Sequence, residues 1–213
     1  ARARSAGADP AAPIFAAHPA GMAALVDALA QALPEGTIQT GRPVEVLAGL
    51  LADGAVVLAL PAPAVAEMLG PQSAAHTAGA HLAAVEHASV VMVALAVDPQ
   101  DLDGSITPGS SGFLVPRDQD TLITACTAAS QKWTHLATDA PGADGTAILR
   151  ASAGRHGDQR ALDLDDHDLL ERVLRDLGRT AGLRGQPRLV RITRWIHSFP
   201  QYAPGHAERM DEV

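Results

Sequence analysis

The chain is short of several residue types, and each shortage excludes a class of protein. Its single cysteine, Cys126, cannot form an internal disulfide, which is typical of a reducing compartment. No apolar run approaches the length of about 18 residues that a membrane-spanning helix needs, and no signal-peptide pattern opens the chain. A net charge of −8 argues against a nucleic-acid partner, because phosphate binding needs a basic face. We therefore expect a cytoplasmic globular protein, with peripheral membrane contact and oligomeric state left open.

Motifs that bind phosphate or metal are missing as well. The chain contains neither G-x-G-x-x-G nor G-x-x-x-x-G-K, so no glycine-rich loop of the usual kind can cradle a pyrophosphate. Nine histidines suggest a metal site, but His76, His81 and His87 follow at spacings of five and six, which do not share one helix face. We predict no metal site and assign no catalytic residue.

Aromatic residues make up only 3% of the chain, and they are concentrated in one stretch. Residues 194–206 read R-W-I-H-S-F-P-Q-Y-A-P-G-H. Large flat side chains gathered in this way indicate the wall of a site; the alternative is a surface corner held by one buried tryptophan. The stretch has no nucleophile–base pair and no metal-ligand spacing. Any chemistry here would have to come from a cofactor.

Hydrophobic periodicity predicts an α+β or mixed α/β fold. Helical spacing runs through residues 22–33, through 64–86 with a break near Gly70, and through an apolar stripe from Leu169 to Leu177. An acidic run, residues 163–168, precedes this stripe and is suited to capping the helix. Alternating or continuously apolar runs predict strands at residues 37–40, 44–47, 55–60, 89–97, 112–116, 121–127, 147–152 and 188–193.

Two residues on the predicted strands carry reactive or charged groups. Cys126 lies in an apolar run, which favours a buried structural thiol over a catalytic one. Arg150 lies on the predicted strand 147–152. An arginine on a strand is either paired with a buried carboxylate or presented to an anionic ligand, and the sequence leaves both interpretations open.

Four segments, taken in chain order, carry a resemblance to a known family. They are a P-I-F and G-M-x-x-L pair within residues 13–25, an R-P-V and V-V-L-A-L-P pair within 42–61, S-G-F-L-V-P and S-Q-K-W within 111–133, and R-W…P-Q-Y-x-x-G-H within 194–206. The segments resemble the bacterial protoporphyrinogen/coproporphyrinogen oxidase family of the flavin amine-oxidase superfamily. Ala20 replaces the glycine that this family has before Gly21. The last segment is the most specific of the four.

The resemblance implies a domain organisation. Residues 1–62 would be part of an FAD-binding domain, residues 63–206 a mixed-sheet substrate-binding domain, and residues 207–213 the start of a return to the FAD domain. Enzymes of this family begin with a strand–GxGxxG–helix unit and end with a second FAD-binding segment, and neither is present here. We expect the chain to be the middle of a longer protein that does not hold FAD unaided.

The activity that the resemblance implies is FAD-dependent oxidation of a porphyrinogen to the porphyrin, with O2 as electron acceptor, in haem biosynthesis. By carry-over, the backbone of Val44 would meet the adenine end of FAD and Trp195 would lie near the flavin ring. The substrate would need a wide apolar pocket for its ring system and one or more cations for its propionates.

The resemblance also implies substrate-binding residues. Ser111 and Leu114, on the predicted hairpin, and Ser152, beside Arg150, match positions of the pocket wall. Because Ser111 is small, we predict a preference for the more carboxylated coproporphyrinogen III over protoporphyrinogen IX. The alternatives are a flavin amine oxidase acting on another substrate and a non-catalytic tetrapyrrole-binding fragment.

Overall fold

A computed structural model describes residues 16–44, 47–71, 75–137 and 145–213 of the chain. The chain divides into two compact units, Ala1–Pro43 and Val44–Val213. Two predicted segments lie partly outside the described residues. They are the first similarity segment, at residues 13–15, and the predicted strand 44–47, at residues 45 and 46. The predicted domain boundary after residue 62 stays a prediction.

The first unit contains one described helix, α1 (Ala23–Gln31), which confirms the helix predicted from residues 22–33. Its apolar stripe is exposed: Leu25, Val26 and Leu29 keep more than half of their surface. The strand predicted at residues 37–40 is wrong, because no described residue pairs with that segment. A strand needs a hydrogen-bonded neighbour, and local alternation cannot supply one.

The second unit is built on a five-stranded sheet. Its strands are β1 (His87–Val97), β2 (Gly112–Leu114), β3 (Ile123–Ala128), β4 (Ala147–Ala153) and β5 (Leu189–Pro200), in the order β2-β3-β4-β1-β5. The α+β class and the strands predicted at 89–97, 112–116, 121–127, 147–152 and 188–193 are confirmed. The sheet was expected to be mixed, but every described pair of strands is antiparallel.

The position of β1 explains why the sheet is antiparallel throughout its described pairs and not mixed. The crossover from β4 to β5 runs through a helix, as in a parallel β-α-β unit. Strand β1 lies between those two strands and is antiparallel to both, so the two parallel strands never touch.

The described helices of this unit are, in chain order, α2 (Leu47–Asp53), α3 (Ala62–Met68), α4 (His76–Ala83), α5 (Ala129–Lys132), α6 (Asp166–Thr180) and α7 (His206–Met210). The helical region predicted at 64–86 is confirmed, with its break near Gly70. Helix α2 begins within the strand predicted at 44–47, and residues 55–60 form no strand. The strand prediction at 55–60 is wrong for the same reason as at residues 37–40, and the one at 44–47 is wrong at Leu47, where a helix begins. None of the helices in the described ranges is long and apolar enough to span a bilayer.

One face of the sheet is buried against α6. Alternate residues of β1, such as Val93 and Leu95, join Leu169, Val173 and Leu177 of α6 in a core with almost no exposed surface. Each buried side chain of this size contributes about 2 kcal/mol. The side chain of Asp165 accepts a hydrogen bond from the backbone N–H of Asp168 at 2.9 Å, which confirms the predicted capping role of the acidic run.

The opposite side of the sheet, which we call the open face, is only partly buried. It carries the other alternate residue of each strand. Its members are Gly112, Leu114, Ala125, Thr127, Ile148, Arg150, Ser152, Val90, Met92, Ala94, Ala96, Leu189, Arg191, Thr193 and Trp195.

Candidate functional site

Three of the predicted substrate-binding residues share the open face. Leu114 on β2 pairs with Ala125, which pairs with Ser152 on β4. Arg150 is two residues before Ser152 on the same strand, so its side chain leaves the sheet on the same side. Leu114 is 83% exposed and stands at the edge of the sheet. The structure therefore brings together Leu114, Arg150 and Ser152, which the sequence separates by up to 38 positions.

Ser152 is held by a neighbouring hydroxyl. The Thr124 hydroxyl donates to the carbonyl oxygen of Ser152 at 3.1 Å, which leaves the Ser152 hydroxyl to donate to Thr124 Oγ1 at 3.0 Å. Ser111 lies just before β2 and is exposed. Its carbonyl accepts a hydrogen bond from Ala128 N at 3.1 Å, so its backbone continues the β2–β3 hairpin. The role of Ser111 in substrate binding stays a prediction.

Arg150 has no carboxylate partner among the described residues, and its side chain is exposed. Of the two interpretations left open by the sequence, the structure therefore favours presentation to an anionic ligand. The open face holds a second exposed arginine, Arg191 on β5, which also lacks a carboxylate partner in the described chain. The alternation of Val190 and Ile192 with Arg191 was a signal for this outward position that the sequence reasoning missed.

An apolar cavity of about 740 Å³ lies beside the open face. Its walls are residues 60–62, side chains at the end of α4, the last six residues of β5, and Tyr202 with α7. Trp195 belongs both to this cavity and to the open face, and half of its surface is exposed. The prediction that the aromatic stretch lines a site is therefore supported, and the alternative of one buried tryptophan at a corner is wrong.

A bulge in β5 shapes the wall of this cavity. Ala88 pairs with Phe199 and Val90 with Trp195, so residues 196–198 all lie opposite the single residue Ser89. Buried Ser89 fills the gap with its side chain, because its Oγ accepts a hydrogen bond from the backbone N–H of His197 at 2.8 Å. His197 has a left-handed backbone with φ of 48°, which is rare outside glycine. Bulges of this kind redirect side chains near sites.

Two histidines of the cavity wall have defined ring contacts. His87 Nδ1 donates to the carbonyl of Val85 at 2.8 Å, so in the neutral ring Nε2 carries the lone pair. His206 stacks on Tyr202 with ring centres 4.3 Å apart. His206 Nδ1 is buried and has no hydrogen-bond partner in the part of the chain that the structure describes. A buried ring nitrogen without a partner is unfavourable, and a bound ligand could supply the missing group.

The structure does not bring together Val44 and Trp195, the predicted cofactor-binding residues. Val44 is exposed, and it is not a lining residue of the cavity that Trp195 borders. Its contact with adenine stays a prediction.

His167, Asp168 and Glu171 have ligand atoms within 4.8 Å of one another on the first turns of α6, but all three are solvent-exposed. Exposed acidic groups of this kind are common without a metal.

Cys126 is buried on β3, as the sequence predicted, and we expect its thiol to be unreactive. Burial raises the pKa of its thiol from 9.0 to about 11, partly offset by the backbone N–H of Arg150. Because the thiolate is the nucleophile, a rise of this size makes reaction with a maleimide at pH 8 roughly 100-fold slower than in the urea-unfolded chain. Modification rates followed by mass spectrometry with and without urea test this; equal rates would contradict the burial of Cys126.

Comparison with known proteins identifies relatives of this chain. The chain is 36% identical over 160 residues to coproporphyrinogen III oxidase of Bacillus subtilis. The matched segment covers 74% of this chain and 31% of that protein. It is 38% identical to coproporphyrinogen III oxidase of Mycobacterium bovis over 75% of the chain and 32% of that protein. The chain thus spans about a third of the length of the curated relatives it matches.

A solved structure and a family model agree with these relatives. A crystal structure from Exiguobacterium sp. 255-15, of a protein assigned as a protoporphyrinogen oxidase, superposes with a TM-score of 0.57 at 31% identity. The superposition covers 71% of this chain and 31% of that one. The family model described as flavin containing amine oxidoreductase matches residues 9–211. The chain therefore belongs to the flavin containing amine oxidoreductase family.

Proposed function

We propose that this chain takes part in the FAD-dependent oxidation of a porphyrinogen to a porphyrin, with O2 as electron acceptor. Family membership and relatives named coproporphyrinogen III oxidase support the proposal. One structural observation carries it furthest: Trp195 borders both an apolar cavity and the open face that presents Arg150. A redox cofactor and a carboxylated substrate would then meet at a single aromatic side chain.

The cavity suits the ring system of a flavin. Its volume lies within the range of small-molecule sites, and its walls are mainly apolar with Trp195, Phe199 and Tyr202 among them. The buried Nδ1 of His206 offers a hydrogen-bonding group. The described residues contain no glycine-rich loop for the pyrophosphate, so they fit the ring part of FAD and not its phosphates. When bound, FAD supplies a hydride acceptor.

The open face suits a flat, carboxylated substrate. Ala94, Ala125 and Ser152 keep its surface low, so a planar ring can approach the sheet closely. The guanidinium of Arg150 can bind a propionate through two parallel hydrogen bonds. Leu114 and Ser111 would border the ring at the hairpin. An unpaired arginine here supports the more carboxylated coproporphyrinogen III as the preferred substrate.

Val44 completes the proposal as the residue whose backbone meets the adenine of FAD. A cytoplasmic location is also proposed, because one buried thiol is typical of a reducing compartment.

Replacing Trp195 with alanine tests the proposal. In the whole protein supplied with FAD, we expect porphyrin fluorescence to appear faster from coproporphyrinogen III than from protoporphyrinogen IX. Trp195→Ala should slow that reaction about tenfold, because an aromatic contact contributes roughly 1.4 kcal/mol. Trp133→Ala is the matched control, since Trp133 contacts Lys132 and His135 and does not border the cavity. Absence of porphyrin formation, or equal slowing by both variants, would contradict the proposal.

A further inference from the structure

Arg191 and Arg150 occupy one row across the open face. Both residues pair with Ala94 of the central strand β1, Arg150 from β4 and Arg191 from β5. Directly opposite residues of antiparallel strands point to the same side of a sheet. Because neighbouring strands are about 4.8 Å apart, the Cα atoms of the two arginines are roughly 10 Å apart. Only the methyl group of Ala94 stands between them.

The two arginines differ from the others near them. Arg188 binds Asp98 at 2.7 Å, and Arg194 binds Asp166 and also donates to the carbonyl of Leu164 at 2.9 Å. Arg150 and Arg191 have no such partner among the described residues, and the open face includes no aspartate or glutamate. Two uncompensated positive charges thus lie together in a chain whose net charge is −8. An arginine side chain remains charged at any pH of interest.

From this arrangement we propose that Arg191 is a second carboxylate-binding residue, and that Arg150 and Arg191 together hold two carboxylates on the rim of one planar macrocycle. The inference rests on the proposed function. Each guanidinium can form a bidentate pair with one carboxylate, while the ring lies over the low surface around Ala94. Charge complementarity selects an acidic ligand, and the low apolar surface around Ala94 selects one with a flat apolar body.

A pyrophosphate is the other anion that two arginines could bind. Its two phosphates share one bridging oxygen, so they lie close together and suit two converging side chains. Both arginine side chains can reach pyrophosphate, because only β1 separates their strands, but pyrophosphate has no apolar body to lie over the low surface around Ala94. The carboxylated macrocycle is therefore the better fit, and inorganic pyrophosphate serves as the competing probe in the test.

Binding titrations of coproporphyrin III and of its tetramethyl ester, followed by the shift of the main porphyrin absorbance band, test the inference on the whole protein. Arg191→Gln should weaken binding of the acid about tenfold, in line with the loss of a charged hydrogen-bonded pair, and leave binding of the ester unchanged. Arg191→Lys should recover part of the loss. Arg188→Gln, which removes the same charge from a paired arginine three positions away, should change neither titration.

Three results would overturn the inference: equal effects of Arg191→Gln on acid and ester, no effect on either, or displacement of the acid by inorganic pyrophosphate in the wild-type protein but not in Arg191→Gln. Turnover separates this inference from the proposed function. If coproporphyrinogen III is oxidised while Arg191→Gln leaves its KM unchanged, the inference fails and the function stands. If the acid binds through Arg191 but no porphyrinogen is oxidised, the inference stands and the function fails.

Discussion

Replacing Asp176 with alanine is expected to lower the free energy of unfolding by about 3 kcal/mol, because the change leaves two buried N–H groups without an acceptor. Asp176 is 5% exposed on α6. Its Oδ2 accepts hydrogen bonds from the backbone N–H of Leu122 at 2.6 Å and of Ile123 at 3.2 Å, where β3 begins. For a chain of this length, such a loss lowers Tm by roughly 10 °C.

Urea unfolding followed by circular dichroism measures the free energy of unfolding of Asp176→Ala and of the wild-type protein. Two further variants serve as controls. Glu171→Ala removes an exposed carboxylate from the same helix and should change stability by less than about 0.5 kcal/mol. Asp176→Asn keeps one acceptor oxygen and should lose less than Asp176→Ala. If Asp176→Ala is as stable as Glu171→Ala, the carboxylate does not connect α6 to the sheet.

The sequence predicted those parts of the fold whose signal is local. Strand β1 is long and rich in valine, and α6 has both an acidic cap and an apolar stripe, so each could be read within its own segment. The apolar run at 147–152 also placed Arg150 and Ser152 on one predicted strand. The partner strands of β4 were not predictable, because pairing depends on contacts between distant residues.

Three features of the structure had a sequence signal that was weak, absent or misleading. Asp176 falls three residues after Val173 and next to Leu177, within the buried stripe of α6, and a charge in that position indicates a buried acceptor. The bulge at Ser89 left no pattern, because it arises from the pairing of β1 with β5. The apolar run at residues 55–60 predicted a strand, yet Val57 is 91% exposed and no described strand lies beside it.

Replacing Gly112 with alanine is expected to detach β2 from the sheet. Gly112 has φ of 130°, and a Cβ atom there would lie 2.1 Å from the carbonyl oxygen of Cys126 and 2.8 Å from the Cα of Thr127. Both atoms belong to the backbone of β3, so no side-chain rotation can relieve the overlap. We expect the free energy of unfolding to fall by about 2 kcal/mol or more. Backbone amides of Phe113 and Val115 should lose their protection from hydrogen exchange.

Gly109→Ala provides the matched control for this change. Gly109 also has a positive φ, of 79°, but nothing lies within 4 Å of a Cβ built there, so its replacement costs only the backbone strain of about 1 kcal/mol. Equal losses for the two variants would show that strain, and not contact with β3, explains Gly112. Because β2 carries Leu114 and follows Ser111, its detachment should also raise the KM for the porphyrinogen while leaving the Trp195 cavity intact. That split would connect the edge strand to the substrate side of the site.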